Sequence, residues 1–188
     1  MINTKEKIIF LGICRTASSS IYQALGKSGL VRNNSKKHQT MKNVQKKFPE
    51  INLDKYFKFT FVRNPYDRWV SLYNWSKKRK VIQAKVSLLD FVRNGLEGKY
   101  KKHPSYRYIS QEDWVTDSGG NIPIDFIGRF ENLQKDFDYV CKEIGHKMKL
   151  ARINVSTAYV TRKDCCLEIK TLIKKYHGKD FDLFGYQT

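Results

Sequence analysis

The chain predicts an α/β fold of three layers, with a central parallel sheet flanked by helices. Three observations point to it. Short apolar runs at 7–12, 56–62 and 123–128 alternate with helical patterns, and strands separated by helices pair in parallel through crossover connections. Pro65 stands just past the second run, where it suits the first turn of a helix. Polar and cationic residues gather immediately after the first two runs, and in such sheets ligands sit at the carboxyl ends of the strands.

Each element can be justified in order. Ile8-Ile9-Phe10-Leu11-Gly12 is a short buried strand that runs into Ile13-Cys14-Arg15-Thr16-Ala17-Ser18-Ser19-Ser20. A helix over 19–28 follows, with Ile21, Ala24 and Leu25 on an apolar stripe. After a basic loop comes a helix over 40–48. Phe59-Thr60-Phe61-Val62 are aromatic or β-branched, as in a strand covered on both faces, and they lead through Arg63-Asn64-Pro65 into a helix over 66–79. A helical segment near 86–97, a loop through 120, the strand 123–128, a helix over 131–144, and a loop with a helix over 164–177 complete the order. Phe184-Gly185-Tyr186 reads as a docked end.

Two of these turns suit anions. Thr16 and the serines 18–20 put hydroxyl donors at a strand-to-helix junction, where helix N–H groups and the helix dipole favour negative charge. A Ser-rich junction of this kind also suits a plain helix cap. The common triphosphate loop, G-x-x-x-x-G-K-[ST], is absent. Arg63, at the end of the second strand, offers a planar fork of donors to a phosphate, and Ser71 follows about two helical turns along the next helix. An ion pair between Arg63 and Asp67 is the other reading of that position.

Taken together, the two segments resemble the sulfotransferases that use 3′-phosphoadenosine 5′-phosphosulfate (PAPS), and in particular the carbohydrate-type branch, sulfotransferase family 2. Cys14-Arg15-Thr16-Ala17-Ser18-Ser19 is similar to the family's 5′-phosphosulfate loop, with Arg15 in place of the usual Lys and Ala17 in place of Gly. Arg63 through Ser71 is similar to its 3′-phosphate motif. Asp125 through Leu133, Asn154-Val155-Ser156 and Asp180 through Tyr186 resemble later family segments, so the likeness spans nearly the whole chain and is weakest from Val81 to Lys102. The resemblance implies a single P-loop-like domain over 1–188. It also implies a sulfuryl group moved from PAPS to a hydroxyl of a carbohydrate-like acceptor, leaving 3′-phosphoadenosine 5′-phosphate (PAP).

The resemblance further implies roles. Arg15 stabilises the leaving group, and Thr16, Ala17, Ser18 and Ser19 hold the 5′ end. Arg63 and Ser71 hold the 3′-phosphate. In-line attack on sulfur needs cations where charge develops and a base near the acceptor proton, and a mechanism of this type needs no metal ion. His38, in Ser35-Lys36-Lys37-His38-Gln39-Thr40, is the favoured base because imidazole titrates near neutrality and the stretch is similar to a Lys-His-x-Thr segment of relatives. His103, Glu112 and Asp113 are the alternatives, while His146 and His177 read as helix ends. Tyr106-Arg107-Tyr108 suits the wall of an acceptor groove, and the segment from Val81 to Ser118 is expected to set acceptor choice.

Composition agrees with one globular domain, since 40% apolar residues in 188 are enough for a real core and too few for two full domains. No apolar run reaches bilayer length and the first residues lack a signal peptide's apolar stretch, which predicts a cytoplasmic protein of the natural short form, or a Golgi one if the chain is trimmed. Cys14, Cys141, Cys165 and Cys166 follow no disulfide or metal-ligand spacing, so reduced thiols are expected; Cys14 has no evident His partner in sequence. The 36 basic against 18 acidic residues give a net charge of +18, which attracts polyanions. An anionic acceptor is the favoured partner. The basic runs are spread along the chain, which argues against a nucleic-acid arm. A non-catalytic binder of the nucleotide or of sulfated polyanions is the alternative to an enzyme. A phosphotransferase is a third class, which the missing Gly-Lys-Ser/Thr argues against.

Overall fold

Strands β1 (Ile2–Asn3), β2 (Ile8–Leu11), β3 (Phe57–Val62) and β4 (Phe126–Arg129) form one sheet in that order. In the computed structural model, which describes residues 1–31, 38–100, 107–151 and 158–188, β2, β3 and β4 run parallel. Leu11 lies opposite Thr60, and Val62 opposite Arg129, so these strands end along one edge of the sheet. The Thr60 hydroxyl ties the two first strands together there, donating to the Leu11 carbonyl at 2.7 Å. β1 is an antiparallel edge strand of two residues, too short to leave a periodic signal in the sequence. The predicted fold class holds: an α/β sheet, mostly parallel, flanked by helices.

The described residues divide into two compact units, Met1–Val62 with Asp113–Asn154, and Arg63–Glu112 with Val155–Thr188. The first contains the sheet with α1 (Ser18–Lys27), α2 (Met41–Lys47) and α6 (Leu133–Glu143). Alternation along the strands sends Ile8, Phe10, Phe59 and Phe61 to one face, against Ile21 and Leu25 of α1 and Phe137 and Val140 of α6. Ile9 and Leu11 face the other way, against Met41 and Val44 of α2. Helices therefore cover both faces, as a parallel sheet requires.

One departure inside β3 is a buried cation. Lys58 is 4% exposed, and its ammonium is satisfied by the Leu53 and Tyr56 carbonyls and by Asp125 at 2.8 Å. Asp125 also accepts from the Lys58 N–H at 2.7 Å, which ties the start of β4 to β3. Farther along the same pair, a Cβ on Gly128 would lie 2.5 Å from the Phe61 ring, which is itself fully buried. Gly128→Ala is expected to destabilise the protein by about 1–3 kcal/mol through overpacking, measured by urea unfolding with an unchanged m-value.

The second unit is helical: α3 (Pro65–Lys78), α4 (Leu88–Leu96), α5 (Gln111–Val115, of which Gln111 and Glu112 belong here) and α7 (Leu167–Phe184). Trp69 and Tyr73 of α3 pack with Phe91 and Val92 of α4 and with Ile169, Ile173 and Phe181 of α7. Asn64 caps α3 by accepting from the Tyr66 N–H, and Pro65 opens it as the sequence predicts. Two helical boundaries differ from expectation. α5 occupies part of the stretch read as a loop, and α7 continues past 177 through a kink at His177 (φ −124°, ψ 24°) to the left-handed Gly185. Among the described residues no helix is long and apolar enough to cross a membrane.

Candidate functional site

The loop after β2 is bent by two residues in the left-handed region, Arg15 (φ 69°) and Ala17 (φ 63°). Such a backbone is costly for residues with a Cβ and is concentrated at functional sites. It lets the chain enter α1 with no side-chain cap from Ala17 and no acidic residue in the first turn, an end of the helix whose dipole favours an anion. Exposure alternates: Arg15, Ala17 and Ser19 are half-buried, whereas Thr16, Ser18 and Ser20 are buried. Thr16 is fully enclosed, and its hydroxyl donates to the Ile13 carbonyl at 3.0 Å, so that hydroxyl is committed to the shape of the loop.

Ala17 explains one of the sequence's own peculiarities. A left-handed position at the entrance of α1 is one that glycine fills without steric cost, and alanine there is strained. Ala17→Gly is expected to stabilise the protein by up to about 1 kcal/mol. That corresponds to a rise of about 2–4 °C in Tm by calorimetry.

The histidine expected as base comes to this loop. His38 Nδ1 lies 2.7 Å from the Gly12 carbonyl oxygen and 3.7 Å from Cys14 Sγ, and its ring meets Trp114 edge-on at 6.0 Å. A carbonyl only accepts, so the close contact to Gly12 requires the proton on Nδ1, and in the neutral ring the lone pair is then on Nε2. That tautomer has two consequences. Nε2 is a competent proton acceptor, and Nδ1 cannot take a proton from the Cys14 thiol. The His partner that Cys14 lacked in sequence is thus supplied by the fold, 24 residues away, but in a state that does not activate the thiol.

In the helical unit, Arg63 directly follows β3 and is half-buried. Its backbone is gripped by the Gln111 side chain: Oε1 accepts from the Arg63 N–H at 2.9 Å, and Nε2 donates to the Arg63 carbonyl at 2.8 Å. Ser71 is 8% exposed on α3. The Asp67 carboxylate lies 3.8 Å from Arg162, whose guanidinium also sits over the Tyr66 ring. Asn74, one turn beyond Ser71, holds the 159–160 backbone on both sides. It donates to the Val160 carbonyl at 2.8 Å and accepts from the N–H groups of Tyr159 and Val160. Sequence reading missed Asn74 and Gln111, since a helical Asn and a loop Gln carry no periodic or motif signal.

Other expectations are revised. Tyr108 is buried and stacks on Trp69 at 5.8 Å, and the Arg107 guanidinium lies 4.6 Å over the Trp75 ring, so Tyr108 is a core residue and not a groove wall. Trp69 and Trp114 are core residues. His177 is not at a helix end. It is buried inside α7, with Nδ1 3.6 Å from Asp180, while His146 does follow α6. Glu112 pairs with Lys179 at 3.5 Å, and Asp113 is exposed. Arg129 is held through its N–H by Asp136. Cys14, Cys141, Cys165 and Cys166 form no disulfide. Ser35, Lys36, Lys37, His103, Tyr106, Asn154 and Ser156 lie outside the described residues.

The family model described as the sulfotransferase family matches residues 1–187. No curated protein matches the chain.

Proposed function

The chain belongs to the sulfotransferase family, and on that premise we propose that it moves a sulfuryl group from PAPS to a hydroxyl of a carbohydrate-like, anionic acceptor by in-line transfer. Bound PAPS supplies an activated sulfuryl group on a phosphate leaving group. The observation that carries the reading is the bent loop between β2 and α1 with His38 anchored to it through Gly12. Arg15 neutralises charge on the leaving phosphate; its guanidinium stays protonated throughout, so it acts by charge and hydrogen bonding and not as an acid. The backbone of Thr16 and Ala17 and the hydroxyls of Ser18 and Ser19 hold the 5′ end at the uncapped start of α1. Arg63 and Ser71 hold the 3′-phosphate. His38 Nε2 takes the acceptor proton as the hydroxyl oxygen attacks sulfur.

The family match over 1–187 supports treating residues 1–188 as one catalytic domain. The net charge of +18 supports an acidic acceptor, because a surface of that sign raises the local concentration of polyanions. The test is acceptor-dependent formation of PAP from PAPS, using sulfated and carboxylated glycans against neutral ones, with Arg15→Ala in parallel. The proposal expects turnover that favours the anionic glycans and falls at least about 100-fold in the variant. A protein that binds PAP yet turns over with none of these acceptors would be a binder and not this enzyme.

A further inference from the structure

Arg63 is the first residue beyond β3, where the ladder with β4 has ended at Val62 and Arg129, and yet its backbone is still paired. Gln111 does the pairing with one side chain. By accepting from the N–H and donating to the carbonyl of the same residue, its carboxamide reproduces the two-bond exchange that a neighbouring antiparallel strand would make. The amide has only one workable orientation. Its second N–H points to Asp180 Oδ2 at 3.3 Å, and flipping the amide would set its oxygen against that carboxylate and its NH₂ against the Arg63 N–H.

Asp180 is the reason that Gln111 stands where it does. Both residues are fully buried. The two Asp180 oxygens accept from the first N–H groups of α5, Gln111 at 2.9 Å and Glu112 at 2.8 Å, and so satisfy donors that the start of a helix leaves without an intrahelical partner. Burial pushes the Asp180 pKa up, but His177, the Gln111 N–H and the nearby Arg68 charge together outweigh it and leave it below the usual carboxylate value. Arg68, 2% exposed on α3, secures the approach to α5 by donating to the carbonyls of Arg107 and Ile109. A buried polar network with its main members satisfied is rigid, and here its output is the backbone of one arginine.

We propose that Gln111, oriented by Asp180, is a positioning residue that sets the direction in which Arg63 leaves the chain and hence its grip on the donor's 3′-phosphate. This rests on the PAPS reading above. The test compares two probes, PAP and adenosine 5′-phosphate, which differ only by the 3′-phosphate, in titrations of the full chain. The wild type should prefer PAP strongly. Gln111→Met, similar in volume but without the amide, should reduce that preference at least tenfold while adenosine 5′-phosphate affinity stays within about twofold. In an Arg63→Ala background the same change should leave the preference where Arg63→Ala put it, since the two residues act as one device. Should Gln111→Met fail to melt cooperatively, Gln111→Asn, whose amide is one methylene short, carries the same expectation. A folded Gln111 variant that keeps the wild-type preference, or that weakens both probes equally, would overturn the positioning role alone. A folded wild type that does not distinguish the probes would overturn the PAPS reading and this role with it.

Discussion

His38→Ala is expected to lower kcat for sulfuryl transfer by about 10²–10⁴-fold, the usual contribution of a positioned general base, with PAP affinity unchanged within about twofold. The expectation follows from the tautomer. The 2.7 Å contact between Nδ1 and the Gly12 carbonyl puts the proton on Nδ1, and the neutral ring then has its lone pair on Nε2, the nitrogen that would accept. His38→Asn sharpens the test, because asparagine can still donate to Gly12 but cannot accept the acceptor's proton at neutral pH. It should match alanine in kcat. Cys14→Ser should retain turnover, since Nδ1 is committed to a carbonyl and cannot serve the thiol 3.7 Å away. Single-turnover rates with saturating PAPS would measure all three variants. A Cys14→Ser loss as deep as that of His38→Ala would replace general-base catalysis with a thiol mechanism.

Arg63→Ala is expected to weaken PAP binding by about 30–150-fold, the equivalent of about 2–3 kcal/mol for charge-assisted bonds to a phosphate. Stability should change little. The backbone of Arg63 is held by Gln111 whatever its side chain, and the helix that follows is capped by Asn64 and opened by Pro65. Arg63→Lys should recover only part of the loss, because a point charge cannot reproduce a planar fork. Calorimetry of each variant, with a thermal melt as the fold control, separates lost affinity from lost structure.

Much of this was legible in the sequence because it is local. Ile8–Leu11 and Phe57–Val62 announce buried strands by composition, Pro65 marks the start of α3, and the helix over 133–143 follows its apolar spacing. The loop residues Arg15 to Ser19 and Arg63 with Ser71 are candidates by their place at or after the strand ends and by family likeness, and their roles stand as proposals. What could not be read depends on partners distant in the chain. α5 is five residues long, and its first N–H groups are accepted by Asp180, about seventy positions on. α7 runs through Gly178, a residue that ordinarily argues for a helix end, because Phe181 and Phe184 beyond it are buried. Lys58 reads as one more surface cation in a basic chain, but two carbonyls and Asp125 make its burial tolerable. The strain at Ala17 was visible only as a departure from a glycine, and its left-handed backbone now supplies the physical reason.

The central claim, that this chain uses PAPS, is tested most directly by calorimetric titration of the wild type with PAP, with ATP plus magnesium as the control ligand. The account predicts one-to-one binding of PAP with a Kd of about 1–10 μM and no comparable heat with ATP. A folded protein that binds no PAP, or that takes ATP with magnesium equally well, would contradict it.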